Sequence, residues 1–186
     1  IYNLLSTAGT GGTQPPPRPF TAVDYFLKID DVPGESTDEK HKEWIELLSY
    51  NSEIRESPTG TGVREGDMSI VKVLDKSSPK LYDAICRGKV FPKVEIHFCD
   101  PNADLNYNFM KIVLSDVLVS GIRESPTLAI RESPTTASAN SFFDVFTYAR
   151  PLEELSFNYS KIEWTYTESN GTQTTTSWDR TAPGGL

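Results

Sequence analysis

Asp75-Lys76-Ser77-Ser78-Pro79-Lys80-Leu81 begins the one convincing helix in a chain that otherwise reads as β-structure. Ser78 is placed to cap it, its hydroxyl accepting from a free backbone N–H in the first turn. Pro79 then falls at the first helical position, where its missing N–H costs nothing. Leu81, Ala84 and Ile85 recur at i, i+3 and i+4 and make one apolar stripe. Gly88 is suited to a left-handed cap that ends the helix. So short a helix keeps its shape only when its stripe packs on something. The rest of the chain has to supply that surface, and it supplies strands.

Towards the N-terminus, Met68–Leu74 reads as a strand running into Asp75, and residues 51–67 as a long polar loop. Trp44–Tyr50 reads as another strand, with imperfect alternation at Leu47-Leu48. Glu35–Lys42 reads as a charged, solvated connection and Asp31-Val32-Pro33-Gly34 as a turn. In Tyr25–Ile29, residues Tyr25, Leu27 and Ile29 alternate with Phe26 and Lys28, a strand pattern. Towards the C-terminus, Lys93–Cys99 alternates cleanly, with Val94, Ile96 and Phe98 towards the core. Asn108–Ser120 is apolar, but its alternation slips near Ser115-Asp116, which predicts a bulge or a bend between two strands. Residues 121–141 read as a second polar loop, followed by a β-like run at Phe142–Phe146.

The last long β region is Leu152–Thr167. Leu155, Phe157 and Tyr159 lie on one phase, and Ile162, Trp164 and Tyr166 on the other. A kink near Ser160 would keep both sets inward. After Glu168 the chain reads as a polar tail with Trp178 as its large anchor. The fold class is mainly β: an antiparallel β-barrel of two sheets with one flanking α-helix over about residues 78–88. Closure, or near closure, is expected because it removes free strand edges. The domain spans 22–180. Residues 1–21, with Pro15-Pro16-Pro17 and a Gly/Thr-rich stretch, read as a flexible tail, and 181–186 as another.

Composition narrows the function classes. The 186 residues suffice for one core, and the net charge of −8 opposes nucleic acid as a general partner. Apolar runs are too short for a membrane span, and a leader pattern is not visible. Cys86 and Cys99 have neither CxxC nor zinc-ligand spacing; two reduced, semi-buried thiols are expected, with a disulfide geometrically open. His41, in the charged connection, and His97, on the outward phase of a strand, read as isolated structural or solvated histidines. Nucleophile-elbow, zinc-protease and phosphate-loop patterns do not occur, so no catalytic residue, cofactor or metal is expected. Asp24, Asp30, Asp31 and Glu35 read as strand-end and turn acids in water, in preference to a cation site.

Trp44, Tyr50, Phe157, Tyr159, Trp164 and Tyr166 suit a core. An alternative reading, a small-molecule or carbohydrate-binding β-barrel, would use such aromatics on an outer face. Ile-Arg-Glu-Ser-Pro-Thr occurs at Ile54–Thr59, Ile122–Thr127 and Ile130–Thr135. Its irregular spacing is not that of a solenoid; all copies fall in expected loops and carry no chemistry.

Several ordered blocks together resemble the haemolysin-coregulated protein (Hcp) family, the tube subunits of the bacterial type VI secretion system. They are Ala22–Asp30, Gly34–Lys42, Trp44–Tyr50, Asp75–Leu81, Pro92–His97, Leu114–Ser120 and Pro151–Tyr166. The resemblance implies a helix-flanked β-barrel without enzymatic activity. It implies a homohexamer whose rings stack into a tube, with sheath, spike protein and effectors as partners and with neither nucleic acid nor a membrane span. It also implies assembly in the bacterial cytoplasm and secretion through the apparatus, with effectors carried in the lumen. The family motif at the helix start maps to Asp75, Lys76, Ser77, Ser78, Pro79, Lys80 and Leu81. Lumen or stacking-loop positions map to Tyr50, Asn51, Ser52 and Glu53. Here the chain departs from the family, whose second strand continues into Ser-Trp-Gly.

Overall fold

The computed structural model describes residues 23–56, 63–101, 107–125 and 150–181. Among these the chain forms eleven strands and one helix. In order they are β1 (Asp24–Ile29), β2 (Ile45–Leu47), β3 (Ser49–Asn51), β4 (Ile54–Glu56), β5 (Val63–Glu65), β6 (Met68–Val73), α1 (Ser78–Arg87), β7 (Val90–Asp100), β8 (Tyr107–Ser125), β9 (Leu152–Asn158), β10 (Lys161–Thr167) and β11 (Gln173–Asp179). Every ladder is antiparallel. The main sheet runs β2-β1-β7-β8-β9-β6-β3, and β8 also carries β10, which carries β11.

The 19-residue strand β8 organises this sheet. One side pairs with β7 over most of its length. The other side pairs with β10 up to Ser115 and with β9 from Leu118 onwards. Asp116, at φ 51°, marks the change. The break between β9 and β10 lies against it: Ser160 N–H donates to the Ser115 carbonyl (3.0 Å), and Ser160 Oγ–H reaches Asp116 Oδ2 (2.7 Å). The two irregularities expected at Ser115-Asp116 and near Ser160 are therefore one feature, and it divides the sheet into two halves that share β8.

The two ends of the path meet. β2 pairs with β1 and β3 with β6, yet only Leu48 separates β2 from β3. The Leu48 N–H donates to the Val71 carbonyl across this seam (2.7 Å). The sheet thus curls into a nearly closed antiparallel barrel, as expected. Leu27, Ile45, Met68, Ile70, Val94, Ile96, Leu114, Leu155, Phe157 and Ile162 are all buried in its interior.

α1 flanks the barrel. Pro79 occupies its first turn, and Gly88 (φ 62°) closes it in the left-handed region, its N–H bonded to the last turn. Leu81 and Ala84 are buried. Burying Leu81 contributes about 1.5–3 kcal/mol, which is what keeps so short a helix formed.

Several expectations are corrected. Residues 51–67 are not all loop: β4 and β5 pair as a separate ribbon. Part of 121–141 is strand, since β8 continues to Ser125. Two hexapeptide copies thus contribute strand, at Ile54–Glu56 and Ile122–Ser125; the third lies outside the described residues. Backbone pairing with β5 and β9 decides these segments, and their polar side chains do not oppose it. The stretch after Glu168 is strand β11, with Trp178 half-buried. In β10, Ile162 is buried but Tyr166 is exposed, and its neighbour Thr165 is buried instead, so the expected inward phase of Ile162, Trp164 and Tyr166 breaks within the strand. Cys86 is exposed and Cys99 buried, and both are free thiols. The 1–21 tail, the run at Phe142–Phe146 and the end after 181 lie outside the described residues.

Candidate functional site

The family motif begins where β6 ends. Met68, Ile70 and Lys72 share the inward phase of β6, and Glu153, Leu155 and Phe157 share that of β9. Register places Lys72 directly opposite Glu153. Both are fully enclosed, at 0% and 1% side-chain exposure, and Lys72 Nζ meets Glu153 Oε2 at 2.6 Å. The ammonium also bonds Asp75 Oδ1 (2.7 Å), Ser78 Oγ (2.9 Å) and the Val73 carbonyl (3.0 Å). A charge pair taken out of water persists only with such extra hydrogen bonds.

The motif residues complete this cluster. Ser77, not Ser78, is the N-cap, and it makes no side-chain cap bond. Ser78 Oγ instead accepts from the Asp75 N–H (3.1 Å) and donates to Glu153 Oε2 (2.6 Å). The expected capping role is thus replaced, because the buried ion pair competes for the hydroxyl. Asp75 Oδ1 accepts from the Ser77 N–H (2.9 Å) and from the Ser77 hydroxyl. Tyr82 Oη lies between Glu153 Oε1 and Glu124 Oε1, 2.7 Å from the latter. Burial and then these two carboxylates push its phenol above the ordinary value, so it stays protonated. On the outside, the Lys76 N–H donates to Glu35 (3.1 Å), and Lys80 Nζ donates to the Asp31 carbonyl (2.5 Å). The motif therefore fastens the helix to the barrel and to the 34–44 connection. An amine so enclosed has no route to a reactant. Lys72 and Glu153 were not singled out by sequence, although a lysine and a glutamate on inward strand phases are a readable signal.

Tyr50 is 39% exposed and packs its ring on Phe98 (centroids 4.7 Å) and Tyr25 (5.7 Å). Asn51 and Glu53 are exposed and Ser52 half-exposed, leading into the β4–β5 ribbon. Leu48, Ile54, Val90 and Tyr166 are further exposed apolar side chains.

The histidines are not isolated. His41 is 2% exposed, stacked on Phe26 with centroids 4.2 Å apart. Its Nδ1 meets Asp38 Oδ1 at 2.7 Å and its Nε2 meets His97 Nδ1 at 2.9 Å. His97 Nε2 in turn meets Glu95 Oε1 at 2.7 Å. The charged connection is thus partly buried, at Ser36 and His41, rather than wholly solvated. The reason is that Phe26, on the outward phase of β1, needs a cover. The hydrogen bond from His97, then that from Lys93, brings Glu95 down to about 2. Burial, then Asp38 and Asp24, pushes the Cys99 thiol up to about 12, so it is unreactive. Among the described residues, no group of three or more His, Cys, Asp or Glu side chains could hold a metal ion. No described helix is long and apolar enough to cross a membrane.

Comparison with known proteins fits this architecture. The family model described as "Type VI secretion system effector, Hcp" matches residues 26–166. Protein hcp1 of Pseudomonas aeruginosa is 35% identical over 109 residues, 54% of this chain and 67% of that protein. The "Major exported protein" of the same organism is 29% identical over 157 residues, 80% of this chain and 83% of that protein. The crystal structure of Hcp1 from Salmonella typhimurium superposes with a TM-score of 0.65 at 23% identity, covering 85% of this chain and 94% of that one, and shares the fold. A nearly closed antiparallel barrel, its flanking helix and a family match spanning both make this chain a member of the Hcp family of type VI secretion proteins.

Proposed function

We propose that this chain is a structural subunit of the type VI inner tube. Six copies of the 22–180 domain close a ring, rings stack, and the tube is expelled from the bacterial cytoplasm through the apparatus, with effectors held in the lumen. The family match across residues 26–166 carries this reading. A head-to-tail contact that closes gives such a ring. The exposed apolar residues Leu48, Tyr50, Ile54, Val90 and Tyr166 supply side chains that neighbouring copies could cover. Tyr50, Asn51, Ser52 and Glu53, with the β4–β5 ribbon, are the proposed lumen and stacking positions. The work is mechanical: the enclosed charged cluster around Lys72 and Glu153 holds the fold.

Negative-stain electron microscopy of the purified chain tests this. Annular particles with a central hole, stacking end to end on crowding, are expected. Featureless single-copy particles at high concentration would overturn it.

A further inference from the structure

We propose that β11 is an assembly strand: its open edge adds, main chain to main chain, to the sheet of a second copy of this chain. This rests on the ring reading above and names a surface that builds the contact between neighbours. Among the described residues, β11 pairs with β10 alone. Two bonds at the ends of that hairpin show which backbone groups are left over. The Arg180 N–H donates to the Ser160 carbonyl (2.8 Å), and the Glu168 N–H donates to the Thr172 carbonyl (2.8 Å). Between them the register runs without a shift, from Lys161 opposite Asp179 to Thr167 opposite Gln173. Hydrogen-bonded pairs alternate along an antiparallel ladder. Thr174, Thr176 and Trp178, in phase with Thr172 and Arg180, therefore bond β10. Gln173, Thr175 and Ser177 turn their N–H and C=O groups the other way, to the outer edge.

That edge is unguarded. Proteins protect edge strands with Pro, Lys, bulges or a covering segment. β11 contains neither Pro nor Lys, its register is unbroken, and Thr174, Thr175 and Thr176 favour extended backbone. From Gln173 to Ser177 every side chain is exposed, so both faces are open along with the edge. In the single chain, the β10 ladder is what holds these residues.

A second copy suits this edge. Two chains of net charge −8 repel unless the surfaces they join are neutral. Gln173–Trp178 carries no charge; on β10, Glu163 lies opposite Ser177, and Lys161 is matched to Asp179 at the end. Tyr166, 51% exposed, is the register partner of Thr174 and gives an approaching copy an apolar side chain to cover. A ring closes through a head-to-tail contact, so the edge receives a strand of the second copy other than its own β11.

Ser177→Pro separates this contact from the fold. The Ser177 N–H points outward, so proline there removes no bond to β10 and sets its ring on the open edge, where strands tolerate it. Native mass spectrometry over a concentration series compares the variant with the wild type, and circular dichroism checks that both are folded. The wild type should form a species of more than two copies. The folded variant should need at least about tenfold more protein to do so. A variant that assembles at wild-type concentrations would overturn the proposal and leave the ring reading standing. A wild type that never assembles would overturn both, and one that stops at two copies would mark β11 meeting β11 and overturn the head-to-tail seam. If the variant does not fold, amide hydrogen exchange of the wild type, resolved to single residues, decides. The Thr175 and Ser177 amides should be fast in the single chain and slow in the assembly, with Thr174 and Thr176 slow in both. Fast exchange of Thr175 and Ser177 in the assembly would overturn the proposal.

Discussion

Lys72→Met is the perturbation that most sharply probes how the family motif works. It removes a fully enclosed ammonium with four oxygen partners and leaves Glu153 at 1% exposure without its cation. Breaking a buried pair by removing one partner costs about 3–5 kcal/mol. Glu153 keeps Ser78 and Tyr82 as donors, which places the cost nearer the lower end, about 3 kcal/mol. For a chain of this size that lowers Tm by about 6–12 °C. The double variant Lys72→Met/Glu153→Leu leaves no unpaired carboxylate, so it should be less destabilised than the sum of the singles by about 2 kcal/mol. Urea unfolding followed by tryptophan fluorescence measures all three at constant slope. A single-variant cost below about 1 kcal/mol, or strictly additive singles, would refute the claim that this pair is enclosed and mutually dependent.

Other perturbations read separate parts of the structure. A Cβ on Gly34 would lie 2.3 Å from the Trp44 carbonyl oxygen, so Gly34→Ala should cost about 2–3 kcal/mol by chemical denaturation. Leu114→Ala, at a fully buried position on β8, should cost about 2–5 kcal/mol in the same assay. Glu95 has a folded value of about 2 against an ordinary 4.5, so its stabilisation is complete above 4.5 and is lost as pH falls from there through about 2. Glu95→Gln should therefore flatten that part of an acid-unfolding curve followed by circular dichroism. A thiol reagent should label exposed Cys86 at once and buried Cys99 only on unfolding.

Much of the fold was legible in sequence, for local reasons. The Val94, Ile96, Phe98 alternation, the Leu81–Ala84 stripe with Gly88 as cap, and the slips at Ser115-Asp116 and Ser160 are written in side-chain periodicity. That the two slips are one kink was not, because sequence does not show that Ser160 lies against Ser115. The β4–β5 ribbon and β11 were missed because backbone pairing, not apolar alternation, holds them. The candidate site was legible as a motif but not as a mechanism. Asp75 and Ser78 belong to a cluster whose centre, Lys72 opposite Glu153, is set by strand register between residues 81 positions apart. His41 and His97 looked isolated because 56 positions separate them, yet β1 and the connection bring them into contact.

Native mass spectrometry of the purified chain at neutral pH tests the ring most directly, since it counts copies. The account predicts a dominant species at six times the 20.7 kDa chain mass, persisting at micromolar concentration. A spectrum that holds only the single chain at every concentration tried would contradict it.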